Sequence, residues 1–169
     1  IGEGAFANHA GVTSVTIPSW VTTIGNNAFK GAPNLATIII EGGKFDTLTI
    51  GEYAFAGCTS LTTLTINGGS SMDDGALVIG AYAFANNTNL TTPTISENAN
   101  ITSIGAYAFS GCSAISEVVI QKTTTTIGER AYAQCSGINK VTFAEGANVA
   151  FGSFVFEGCQ KIRSIALPS

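Results

Sequence analysis

Few side chains in this 169-residue chain are equipped for chemistry. There are four cysteines, one histidine and eleven carboxylates. An even count of cysteines, here Cys58, Cys112, Cys135 and Cys159, suits a disulfide framework. A thiolate set beside His9 would suit nucleophilic catalysis. Adjacent carboxylates at Asp73 and Asp74, following Met72 in one Gly- and Ser-rich stretch, invite a cation. Asn86-Asn-Thr88, Asn89-Leu-Thr91 and Asn100-Ile-Thr102 match the N-glycosylation acceptor pattern.

What decides among these options is a repeat. Aligned on an Ile-Gly pair, the chain reads IGEGAFANHAGVTSVTI from Ile1, IGNNAFKGAPNLATIII from Ile24 and IGEYAFAGCTSLTTLTI from Ile50. Further copies are IGAYAFANNTNLTTPTI from Ile79, IGAYAFSGCSAISEVVI from Ile104, IGERAYAQCSGINKVTF from Ile127 and FGSFVFEGCQKIRSIAL from Phe151. The seven starts, at 1, 24, 50, 79, 104, 127 and 151, give one solenoid over 1–169. All four cysteines, and His9, hold one repeat position, so the cysteines form a column along the stack. Asn87 interrupts that column and sets Cys58 and Cys112 about 10 Å apart, beyond disulfide reach. Cys112, Cys135 and Cys159 are nearer one another, but their side chains should point the same way. The thiols therefore read as small buried hydrophobes. No C-x-x-C occurs and His9 stands far down the stack, which argues against zinc. Asp73 and Asp74 lack EF-hand spacing and read as a solvated turn rather than a metal site; with Met72 they mark a candidate binding loop, since insertions in repeat proteins go to loops on one face.

The elements that hold these residues follow from the same pattern. The end of each copy alternates, as in Leu64-Thr-Ile66, and predicts a half-buried strand. The middle, Tyr53-Ala-Phe55-Ala-Gly57-Cys58, is expected to form one helical turn or an irregular segment with its Phe inward, ended by Gly or Asn. The Gly of Ile-Gly is expected to give a tight bend or a positive φ. Stacked copies then align Ile on Ile, Phe on Phe and Leu on Leu. Trp20, the lone Trp, is expected to be partly buried in the connection after Pro18. Pro93 departs from the pattern at a strand apolar position.

The pattern Ile-Gly-x-x-Ala-Phe-x-x-Cys-x-x-Leu-x-x-Ile-x-Ile resembles the BspA-like leucine-rich repeat family, over nearly the whole chain. The resemblance implies a leucine-rich-repeat solenoid, a curved right-handed coil of short parallel strands. It also implies a non-catalytic binding or adhesion role at a cell surface or in an extracellular matrix, toward a protein or glycan ligand. It implies no cofactor. In such a solenoid the exposed strand positions line a concave contact face. Here they are Ser14 and Thr16, Thr37 and Ile39, Thr63 and Thr65, Thr92 and Thr94, Glu117 and Val119, Lys140 and Thr142, and Ser164 and Ala166.

Composition narrows the alternatives. Net charge is −4, only 11% of residues are charged and the seven Lys and Arg are scattered, which argues against nucleic-acid binding. No window has the apolar length of a membrane span. Neither end reads as a polar cap, so the chain is expected to be a segment of a longer protein or to have its ends covered by neighbours. Uncapped ends also raise a second reading, end-to-end stacking of copies into a filament. The single His, dispersed carboxylates and absence of a phosphate loop argue against an enzyme.

Overall fold

The computed structural model describes residues 1–42, 47–69 and 75–165. Within them lie twelve short strands, all paired in parallel, and no helix. Odd- and even-numbered strands occupy different sheets. One sheet orders β1 (Ser14–Ile17), β3 (Thr37–Ile40), β5 (Thr63–Ile66) and β7 (Thr94–Ile95). A second orders β2 (Thr23–Ile24), β4 (Thr47–Ile50), β6 (Ala76–Ile79), β8 (Ile101–Ile104), β10 (Thr126–Ile127) and β12 (Ala150–Phe151). β9 (Glu117–Ile120) and β11 (Lys140–Phe143) make a third, in line with the first by repeat position.

Each coil therefore has three sides, and only one was foreseen as a strand. The even-numbered strands come from the residues just before Ile-Gly, as in Leu48-Thr-Ile50 and Leu77-Val-Ile79, which also alternate. The third side is a run of turns. It is tied to the next coil by alternate amides: Phe29 N–H donates to Ala54 O at 2.7 Å, Phe55 to Ala83 at 2.8 Å and Phe84 to Ala108 at 2.8 Å. No helix forms among the described residues: alternate amides point along the stack, and those between them only close short turns, as Lys30 N–H does to Asn27 O at 3.1 Å.

Two positions per coil make those turns possible. The residues three and seven places after the leading Ile have positive φ, as at Tyr53 (55°) and Gly57 (68°), Tyr82 (56°) and Asn86 (62°), and Tyr107 (57°) and Gly111 (78°). Gly and Asn accept that geometry readily, which is why they end the segment. The glycine of Ile-Gly has a different task from the one expected of it. No positive φ occurs there; a Cβ on Gly105 would lie 2.6 Å from both Ala81 N and Gly80 C. That glycine lets one coil's backbone settle against the next.

The core is a set of columns. Ile24, Ile50, Ile79, Ile104 and Ile127 are buried in register across one sheet, and Ile17, Ile40 and Ile66 across the other. Phe6, Phe29, Phe55, Phe84, Phe109, Tyr132 and Phe156 stack near-parallel, with centroids 5.0 to 5.6 Å apart. Offset aromatic pairs of this kind add about 0.5–1.5 kcal/mol each beyond area burial. A one-residue slip would turn each strand's apolar set outward, so pairing and patterning fix one register.

Candidate functional site

Most of the residues expected to line a contact face lie along the odd-numbered strands; Thr92 and Ser164 lie outside them. Ser14, Thr16, Thr63, Thr94, Val119, Lys140 and Ser164 are exposed, and Thr37, Ile39, Thr65, Glu117 and Thr142 are half-buried between neighbours. In register, Thr16 lies beside Ile39 and Ile39 beside Thr65. Glu117 lies beside Lys140, and Lys140 Nζ meets Glu117 Oε1 at 2.6 Å. Lys140 is exposed and Glu117 half-buried, and solvent reaches both, so this pair contributes little to stability and mainly sets the face's local charge.

Thr92 departs from that row. Its hydroxyl oxygen accepts from the amides of Ser116 and Glu117, each at 3.1 Å. It clamps the next coil instead of facing out. Thr91 and Thr125 likewise donate to neighbouring-coil carbonyls, at 2.9 and 3.0 Å. Part of the threonine content therefore serves coil-to-coil stapling.

Immediately after this clamp the face splits. Pro93 takes the place held by Ile38, Leu64 and Val118 in other coils. It has no N–H for the ladder and does not fill the core as those side chains do. β7 shrinks to two residues, and β7 and β9 lie in separate sheets. On the other two sides the same coils stay joined, through the β6–β8 pairing and the Phe84–Phe109 stack at 5.2 Å. The coils thus part on one side only. Beneath the gap is a cavity of about 440 Å³. Its wall includes Ile79, Ile104, Phe109, Ile115, Val118 and Tyr132. Glu97, Glu117, Lys122 and Glu145 also border it. The gap leaves this space open to solvent on one side. Pro93 was the sequence signal for it.

The cysteine column is buried and free. Each thiol donates to the carbonyl of the preceding coil's aromatic residue: Cys58 to Phe29 and Cys112 to Phe84, both at 3.1 Å, Cys135 to Phe109 at 3.1 Å and Cys159 to Tyr132 at 3.2 Å. Asn87 continues the column, its Nδ2 donating to Phe55 O at 3.0 Å and Phe84 O at 2.9 Å. These residues are donors that satisfy a buried carbonyl as well as small fillers. Burial pushes the Cys58 thiol up to about 11 and the Cys112 thiol up to about 12, so neither is a nucleophile at neutral pH. His9, at the same repeat position, is exposed in the first coil, where Gly11 N–H donates to its Nδ1.

Trp20 is 78% exposed, against the expectation of partial burial, because the Pro18–Trp20 turn carries it away from the coil. Asn86 is exposed and Asn100 half-buried. Met72, Asp73, Asp74 and Ala166 lie outside the described residues. A row that sequence reasoning missed follows from the positive-φ positions: Tyr53, Tyr82 and Tyr107 stack at 4.6 and 4.7 Å. Lys30 sits over the Tyr53 ring at 4.5 Å, and Arg130 donates to the Tyr107 hydroxyl at 3.2 Å. The repeated Tyr three places after Ile was the available signal.

A family model described as BspA type leucine rich repeat region matches residues 1–78 and 77–169. No curated protein matches the chain. Among solved structures, a leucine-rich repeat protein from Bacteroides ovatus is 21% identical with a TM-score of 0.79, over 97% of this chain and 39% of that one. A leucine rich cell surface protein from Faecalibacterium prausnitzii is 29% identical with a TM-score of 0.72, over 98% and 41%. The T. pallidum leucine-rich repeat protein is 18% identical with a TM-score of 0.60, over 89% and 78%. The chain thus spans about two fifths of the first two proteins. The first and third likenesses are those of fold alone. With its whole length matched by the family model, and with in-register coils that carry the family's repeat, this chain belongs to the BspA-type leucine-rich repeat family.

Proposed function

We propose that the chain is a non-catalytic binding module of a surface or secreted protein, and that the odd-numbered strand face makes the contact. The single observation behind this is the face itself. It is a row of short β-branched and polar side chains, in register across β1, β3 and β5 and across β9 and β11, with one ion pair. Such a surface offers a partner closely spaced hydroxyls and methyls at little ordering cost. The likeness to a leucine rich cell surface protein supports the location, and the family supports protein interaction in general.

Two variants test the reading against a panel of purified surface proteins and glycans. Thr37→Lys with Thr63→Lys alters the contact face. Thr23→Lys with Thr126→Lys alters the even-numbered sheet and serves as control. A partner bound by the wild type and the control, but bound at least about tenfold more weakly by the face variant, is the expected result. Equal losses in both variants, or a loss only in the control, would move the contact elsewhere.

A further inference from the structure

We infer that the cavity beside Pro93 is a binding site for a small amphiphile with an apolar body and a cationic head, of the aralkyl or alkyl amine class. This site adjoins the strand face, sharing Thr92, Glu117 and Val119 with it, but does not depend on that face making a contact.

Three observations lead there. The first is size: about 440 Å³ falls within the roughly 300–1,000 Å³ typical of small-molecule sites. The second is lining. The wall is mostly aliphatic and aromatic, with a few polar groups, among them Thr92, Thr124 and Tyr132. Tyr132 brings a hydroxyl to a column that is otherwise Phe, and it borders this cavity. Thr124, fully buried there, already donates to Ile101 O at 2.9 Å. The third is charge at the border. Glu117 is neutralised by Lys140 at 2.6 Å. That leaves Glu97 and Glu145 against Lys122, and among the described residues no ion pair joins Lys122 to either. A cation therefore gains at this mouth where a carboxylate is repelled. The split supplies the entrance, since β7 and β9 do not close the sheet over it.

The test uses three probes with one apolar body: 4-phenylbutylammonium, 4-phenylbutanol and 4-phenylbutyrate. Calorimetric titration into the chain reads affinity, and amide NMR shifts read location. One saturable site per chain is expected, with shifts at Thr92, Val118 and Thr124. The ammonium probe should bind tightest and the carboxylate at least about tenfold more weakly. Ala144→Phe, which fills the cavity from its half-buried border, should abolish binding. Tyr132→Phe matches the rest of its column and should fold; it should weaken the ammonium probe by about three- to tenfold. Glu97→Gln with Glu145→Gln should erase the preference over the carboxylate. Absence of saturable binding by the ammonium, a tighter carboxylate, or unchanged affinity in both Ala144→Phe and Tyr132→Phe would each overturn the assignment.

Discussion

At the scale of the residue, the cysteine position shows how one task is met by different chemistries. A buried carbonyl of the preceding coil needs a donor, and Cys or Asn supplies it. Asn87 does so at a cost, because its Oδ1 is buried without a partner. Replacing it by the column's usual residue, Asn87→Cys, keeps a donor and removes the orphan acceptor. We expect a gain of about 1 kcal/mol, and hence a midpoint some 2–4 °C higher in a thermal melt. A destabilised variant would show that the second amide bond matters more than the orphan. The thiols themselves make stability depend on pH. Cys112 is raised from 9.0 to about 12, chiefly by burial, so it stays neutral in the folded chain where the unfolded chain would ionise. Its contribution is intact below pH 9 and is lost as pH rises from 9 toward 12. The slope is up to about 1.4 kcal/mol per pH unit. Urea melts of wild type and Cys112→Ala between about pH 8 and pH 11 should converge as the alkaline loss disappears from the variant. The sequence made the column and its inertness legible. It did not show the donor role, because a hydrogen bond to another coil's carbonyl depends on how coils stack.

At the scale of the element, the strand nearest each repeat's end was readable from alternation, and so was the inward Phe. The even-numbered strands were equally written in the alternation before Ile-Gly, but two-residue strands such as β2 and β10 leave little pattern to read. The turn segment is the irregular one of the two forms expected, for a physical reason. Its length suits one helical turn, yet every second amide finds its partner in the neighbouring coil. Glycine's role was hidden in the same way, since close approach belongs to the stack and not to the local chain. This gives a direct prediction. Gly105→Ala forces a methyl against backbone of the preceding coil, which cannot move aside as a side chain would. A loss of about 3 kcal/mol or more is expected by chemical denaturation. Gly57→Ala should cost less, about 1 kcal/mol, because nothing lies near its Cβ and only the positive φ of 68° opposes it.

At the scale of the whole molecule, the repeat predicted a solenoid, and family and structure agree on it. Pro93 was visible in the sequence as an irregularity. Its consequence, a one-sided gap with a cavity beneath, needed the three-sided cross-section to be known first. The outward strand row is only partly the simple alternation expected, since Thr92 faces its neighbour coil. Charge on that row should leave the fold alone. Lys140→Ala removes the exposed pair with Glu117 and should change unfolding free energy by less than about 1 kcal/mol. A larger change in a denaturant melt would mean that the pair holds β9 and β11 together.

The split carries a mechanical meaning as well. Along most of the stack, tension applied end to end is shared by three hydrogen-bonded seams: two sheets and the turn side. Between β7 and β9 one seam is interrupted, and the load passes through the other two. A stretched chain should therefore bend and yield first at that joint, opening the mouth of the cavity before any coil unravels.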